Sequence, residues 1–290
     1  MPEKHRRLPR YGRVSNPPSM RLTERDKRIL EAIHVYDGIL GFSQIQRMYF
    51  SGKSQTEQRL KLLYQNGYVT RPDKEQRRRM PEMVYWLDKK GAELVASLHG
   101  TTPTEMGWRK EPRWFQVEHD LAVNDFRLDI VAACHSNPDV ILETWVPESE
   151  FWAFPDSVGY SYADRKMTRN IRPDGFFTLV MGSNRIRYLL EIDRSTEDNP
   201  RFLREKILPG LAYVKSQAYG DRFGHRSGRW LVITTGERRL QNMLRQARRA
   251  DAKGSFYFTT YDQVNPETLL QVPIWQRADR DEKVPLLFVD

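Results

Sequence analysis

The sequence predicts a multi-domain α/β protein: a small helical unit that ends in a β-hairpin, then a mixed sheet flanked by helices. Three observations lead there. A length of 290 residues leaves room for two separate cores. The apolar spacing changes near residue 114, from short helix-period stretches to a long helical stretch followed by alternating strand and helix patterns. Between them, residues 101–113 are rich in Gly, Thr and Pro, which read as a linker. The expected division is a flexible basic arm at 1–20, a first domain at 21–100, the linker at 101–113 and a second domain at 114–290.

The arm carries Lys4, Arg6, Arg7, Arg10 and Arg13 among Pro, Gly and Ser, too little apolar surface to fold alone. Order begins where Thr23 can cap a helix and Asp26 can return a bond to the cap. Ile29, Leu30, Ile33 and His34 follow at helical spacing. Asp37-Gly38 and Gly41 turn the chain into a second short helix over 43–50, and a third runs over 54–64 to the stop signal Asn66-Gly67. Two extended pieces, 68–71 and 83–87, flank the charged run 73–79, and residues 88–98 close the region as a helix. Three helices and a hairpin with a basic tip is the order of a winged helix-turn-helix domain. In that arrangement the third helix enters the major groove, with Lys53, Ser54, Gln55, Gln58, Arg59 and Lys61 as the groove face. Arg77, Arg78 and Arg79 then lie on the wing.

In the second region, residues 114–133 form the long helix, with Val117, Leu121, Leu128 and Val131 near one stripe and Glu118 beside it. A strand at 141–146 follows, then a polar loop from Pro155 to Asn170 holding Arg165, Lys166 and Arg169. Two apolar runs, 171–180 and 187–195, are joined by Gly182-Ser-Asn184 and read as a hairpin. A helix from Phe202, bent at Pro209-Gly210, leads to 211–216. Strand 230–235, an arginine-rich helix over 237–250 and strand 255–260 complete an α/β domain.

The hairpin carries Asp174, Glu191 and Asp193, three carboxylates where two apolar strands should bury none. With the turn centred near Ser183, Asp174 is expected roughly opposite Asp193, and Glu191 shares a strand face with Asp193. A hard cation with oxygen ligands, Mg²⁺ or Mn²⁺, would relieve the repulsion and leave positions for phosphate.

A formal charge of +9 makes nucleic acid the expected partner. One cysteine, Cys134, excludes an internal disulfide and any multi-cysteine zinc site and suits a reducing cytoplasm, where nucleoid association is expected. No apolar run approaches the ~20 residues of a membrane span. The chain has no Gly-rich phosphate loop, dinucleotide fingerprint or nucleophile elbow, which argues against ATPase, dehydrogenase and α/β-hydrolase chemistry. A lone His119 on a helix is read as packing, and no histidine cluster supports a tyrosine-type relaxase.

An Asp opening the second strand and Glu-x-acidic on the third, with helices before and after, resemble the PD-(D/E)XK nuclease core. Pro173-Asp174 matches the first element, and Glu191-Ile192-Asp193 the second, except that Asp193 stands where a lysine is expected. The resemblance implies that the lysine comes from the following helix, as Lys206, with Tyr213 near the same face. It also implies that Glu118 adds the further carboxylate some members use. A narrower likeness covers nearly the whole chain. The winged helix, His119-Asp-Leu-Ala-Val-Asn-Asp, Pro173-Asp-Gly, Glu191-Ile-Asp-Arg-Ser-Thr-Glu, Lys206, Tyr213 and Ile274-Trp275 resemble the replication-relaxation family of plasmid and mobile-element proteins.

That likeness implies a DNA-binding protein of a mobile element with a Mg²⁺-dependent nicking or cleaving domain. Asp174, Glu191 and Asp193 are then the metal ligands, and Lys206 and Glu118 their catalytic companions. A second reading stays open, a non-catalytic replication or transcription factor whose degenerate nuclease fold serves dimerisation or docking. A homodimer and other replication or mobilisation proteins are the further partners expected.

Overall fold

The computed structural model describes residues 8–194 and 199–287, and the chain divides into two compact units, Met1–Asn124 and Asp125–Asp290. Lys4, Arg6 and Arg7 of the arm, and Ser195, Thr196 and Glu197 of the Glu191 motif, lie outside the described residues. Among those described, no helix is long and apolar enough to cross a membrane.

In the first unit, α1 (Glu24–Val35) starts with the capping box the sequence suggests: Thr23 accepts from the Asp26 N–H, and Asp26 accepts from the Thr23 N–H. β1 (Leu40–Gly41), α2 (Phe42–Tyr49) and α3 (Lys53–Gln65) follow. β2 (Val69–Thr70) and β3 (Val84–Leu87) pair antiparallel, and β1 joins the other edge of β3, giving the order β1-β3-β2. Between β2 and β3 the expected open tip is a five-residue helix, α4 (Lys74–Arg78), because Asp73 and Gln76 form a second capping box. α5 (Lys89–Leu98) closes the unit over a core that includes Ile29, Leu30, Ile33, Leu60, Leu63 and Val95, all buried.

Two expected loose segments are held in place. From Pro9 to Pro18 the arm lies along the end of α3, where the Gln65 amide donates to the Gly12 carbonyl at 2.8 Å and Asn66 to that of Pro18 at 3.1 Å. Arg13 donates to the Tyr64 and Val69 carbonyls, pairs with Asp88 and stacks 4.7 Å from the Tyr64 ring centroid. In the 101–113 segment, Trp108 donates to the Leu87 carbonyl, and the Lys110 carbonyl accepts from Trp86. Buried indole N–H groups require such partners, so these tryptophans tie the segment to β3. The helix expected from Trp114, α6 (Val117–His135), begins within this unit.

The second unit is built on a six-stranded mixed sheet. Chain order runs through β4 (Val140–Pro147), α7 (Glu148–Ala153), β5 (Asp156–Tyr162), β6 (Arg165–Ile171), β7 (Gly175–Met181) and β8 (Asn184–Ile192). Then come α8 (Asn199–Phe202), a π-helical turn over Leu203–Ile207, α9 (Leu208–Val214), α10 (Gln217–Phe223) and β9 (Arg229–Thr234). α11 (Glu237–Arg249), β10 (Phe256–Thr260) and β11 (Gln276–Arg277) end the unit, and the sheet order is β11-β10-β9-β8-β7-β4. β4, β7 and β8 are antiparallel, β8, β9 and β10 parallel. One face of this sheet packs on α9, α10 and α11 through Phe176, Leu189, Tyr213, Trp230, Leu244 and Phe256.

Two expectations change here. The polar stretch 155–170 is not a loop but the ribbon β5–β6, paired from Asp156↔Ile171 to Tyr162↔Arg165. Its turn, Ala163-Asp164, takes positive φ at both residues, the primed turn whose twist matches the strands, without the glycine that usually announces it. The turn of the next hairpin lies between Gly182 and Ser183, with Met181 opposite Asn184 and Gly175 opposite Leu190. Continued by one residue, that register sets Asp174 beside Glu191 rather than Asp193. Pro209 lies in the first turn of α9, where the chain runs on in helical conformation directly from the π-helical turn.

Candidate functional site

Where β7 begins and β8 ends, a cleft of about 540 Å³ opens within the second unit. Asp174, Glu191, Glu148, Lys206, Glu205, Arg169, Arg172 and Trp152 are among its lining residues. Asp174 is buried and fixed by the end of the ladder: its N–H donates to the Leu190 carbonyl at 2.9 Å, and its carboxylate accepts from the Ile192 N–H at 2.6 Å. Glu148, buried in the first turn of α7, brings one oxygen within 4.8 Å of an Asp174 oxygen. A helix N-terminus favours such a charge, and the Trp152 indole N–H one turn later donates to Glu148 at 2.9 Å. Glu191, also buried, is met by Lys206, whose Nζ lies 2.6 and 2.8 Å from its two oxygens.

Lys206 belongs to the π-helical turn, a rare widening of a helix that occurs often at functional sites. Next to it, Glu205 is gripped by Arg169 at 2.9 Å, Arg204 at 2.8 Å and Arg201 at 3.2 Å. Burial raises the Glu205 carboxyl, but the hydrogen bonds of Arg204 and Arg201 and the charge of Arg169 outweigh it and bring it down to about 2. Across the cleft the Arg172 guanidinium stacks 3.7 Å from the Trp152 ring centroid.

The hard oxygens of Asp174, Glu148 and Glu191 suit Mg²⁺ or Mn²⁺. Two buried carboxylates within 4.8 Å repel each other, which a cation between them would offset. Asp193 is differently employed. Its carboxylate accepts from Thr234 at 2.6 Å and from Arg239 of α11 at 3.0 and 3.1 Å, because β8 ends at Ile192 and strict alternation ends with it. Tyr213, on a helix face expected near Lys206, is fully buried and donates to Asp156 at 2.5 Å. Burial first, then the charges of Asp193, Asp174 and Glu191, push the Tyr261 phenol up, a sign of how negative this end of the sheet is. Glu118 is exposed on the first turn of α6, in the first unit.

Sequence reasoning missed Glu148, Glu205, Trp152 and Arg172. For Glu148 the signal was a helix start directly after a strand, Pro147-Glu148, with acidic residues in its first turn. Nothing in the spacing marks Trp152 or Arg172.

On the first unit, α3 exposes Lys53, Ser54, Gln55 and Gln58, and Lys61 is half-buried. Arg59 turns inward, its Nε donating to buried Asp26 at 2.7 Å and its terminal nitrogen to Arg21's carbonyl. Around α4, Arg77 donates to the Met80 carbonyl and Arg78 to Glu75, while Arg78 and Arg79 stay exposed.

No curated protein and no solved structure matches the chain. A family profile described as replication-relaxation matches residues 31–225, a span reaching from α1 through the ladder carboxylates and Lys206 to the end of α10. That match takes in well over half the chain, and the protein belongs to the replication-relaxation family.

Proposed function

We propose that the second-unit cleft hydrolyses a phosphodiester of plasmid or mobile-element DNA with Mg²⁺ or Mn²⁺, and that the first unit is a winged helix that engages the DNA. One observation carries the catalytic part: three buried carboxylates, from just before β7, the end of β8 and the first turn of α7, open on one cleft together with a lysine and a rim of arginines. Asp174, Glu148 and Glu191 would hold the ion, which when bound polarises a phosphate and lowers the pKa of a water. Lys206 stands where its ammonium can donate to a phosphate oxygen as negative charge builds on it. Arg169 and Arg172 line the same cleft and can hold the flanking strand. The exposed face of α3 and the α4 tip with Arg78 and Arg79 support DNA engagement by the first unit.

A second reading has one observation in its favour. Lys206 already takes both oxygens of Glu191, and Asp193 is matched by Arg239, so the site's charges are partly satisfied from within. Such closure fits a fold kept for binding alone. Supercoiled plasmid incubated with the full chain and Mg²⁺ or Mn²⁺, against an EDTA control and the Asp174→Asn and Glu148→Gln variants, separates the two. Metal-dependent nicking that falls on the order of a hundredfold or more in both variants supports hydrolysis. Equal nicking by wild type and variants would assign the activity elsewhere, and metal-independent DNA binding with no nicking on plasmids bearing the cognate origin would leave the binding factor.

A further inference from the structure

We propose that the mouth of the carboxylate cleft is a stacking platform for an unpaired base, so that the site takes single-stranded DNA. The inference rests on the cleft being a nucleic-acid site, as proposed above, and not on its being catalytic.

Trp152 is 46% exposed although Phe151 just before it and Glu148 one turn back are buried. An exposed indole is costly unless something covers it, and here its position is fixed from two sides. Its N–H is tied to the Glu148 carboxylate at 2.9 Å, and the Arg172 guanidinium lies 3.7 Å from the ring centroid. The Nε of Arg172 is itself buried with no hydrogen-bond partner among the described residues. Two residues on, Phe154 ends α7 with 68% of its surface exposed. An indole held in place beside a stacked cation is the chemistry that holds bases, since every base has a π-face and its phosphates are anionic.

The register of this platform matters more than its presence. Trp152 is one helical turn from Glu148 and bonded to it, so a base on the indole belongs to a nucleotide next to whichever phosphate faces the carboxylates. In a duplex that base is covered on both faces by its neighbours, and the indole has nothing to stack on. Arg169 and Arg204 both bond the single Glu205 carboxylate at the other side of the cleft, two cations to one anion, which gives that wall positive charge for the backbone of the strand. A stacking indole on one wall and cations on the other describe a groove for one strand.

The test measures binding in EDTA, where catalysis plays no part. Fluorescence anisotropy is read for the full chain with a short fluorescein-labelled single strand, and with the same strand annealed to its complement. Trp152→Ala is expected to weaken single-strand binding by about tenfold and to leave duplex binding unchanged, while Trp152→Phe stays within about twofold of wild type. Thermal melting of each variant shows that it is folded. Unchanged single-strand affinity in a folded Trp152→Ala protein, or an equal loss on both substrates, overturns the platform. If the single-strand effect holds while plasmid nicking is absent, the catalytic reading fails and this one stands.

Discussion

Lys206 reaches Glu191 from the π-helical turn and holds both of its carboxylate oxygens, at 2.6 and 2.8 Å. The two residues are far apart in kind of structure, one at the end of a central strand and the other in a widened helical turn, yet each neutralises the other at the centre of the cleft. A cation held by Asp174, Glu148 and Glu191 competes for the same carboxylate. Lys206→Met should therefore destabilise the metal-free protein by about 1–3 kcal/mol, less than a fully buried pair would lose because the lysine is partly exposed. Mg²⁺ should restore more of the variant's melting temperature than it adds to wild type. Thermal melts in EDTA and in Mg²⁺ check this, and equal Mg²⁺ shifts in both proteins would deny that the ion and the lysine share Glu191.

Asp193 and Arg239 make the contrasting case. Asp193 is buried and Arg239 mostly covered, and Thr234 supplies the third hydrogen bond, so the group serves to pin α11 to the end of β8. Breaking it by Arg239→Ala should cost roughly 3 kcal/mol or more, because that change strands the buried Asp193 charge, and Asp193→Ala should cost less. The double variant should lose less than the sum of the singles. Mg²⁺ binding measured by calorimetry should survive Asp193→Ala and fail in Asp174→Asn. Loss of binding in a stable Asp193→Ala protein would return Asp193 to the metal site.

The contrast shows what the chain revealed beforehand. The hairpin was legible because Gly182-Ser183 separates two apolar runs, though not its register, and the cap of α1 was legible because Thr23 and Asp26 satisfy each other locally. Asp193 could not be placed that way, since its partners Thr234 and Arg239 come from a strand and a helix some forty residues later. Glu148 is opaque for a similar reason: only the antiparallel pairing of β4 with β7 brings the start of α7 to Asp174. The ribbon β5–β6 was hidden because only Val158 and Ile171 of it are buried and Arg165, Lys166, Arg169 and Asn170 on β6 obscure the alternation of Val158, Tyr160 and Tyr162 on β5. Arg59 looked like a groove residue because it is a basic residue on α3, and only the fold shows Asp26 waiting for it.

That last pair gives a prediction that separates structure from DNA contact. Burial raises the Asp26 carboxyl, but the hydrogen bonds from Arg59 and Thr23 and the charge of Arg59 outweigh it, so its pKa falls below the ordinary 3.8. A group lowered in the folded state contributes stability that is fully present above its unfolded pKa and is lost as the pH falls through the folded one. The pair should accordingly act in full above about pH 4 and disappear at more acid pH. Asp26→Asn should lower stability at neutral pH and flatten the acid limb of the curve, measured by urea unfolding from pH 7 downward. Arg59→Ala should lose about 2–4 kcal/mol at pH 7, since it leaves the fully buried Asp26 charge unpaired at the first turn of α1. Lys53→Ala and Gln58→Ala, on the exposed face of the same helix, should leave stability within about 0.5 kcal/mol and weaken duplex binding instead. If Arg59→Ala kept its stability and lost duplex affinity as Lys53→Ala does, the guanidinium would have to leave Asp26 for phosphate, and the inward arrangement would be only one of its two positions.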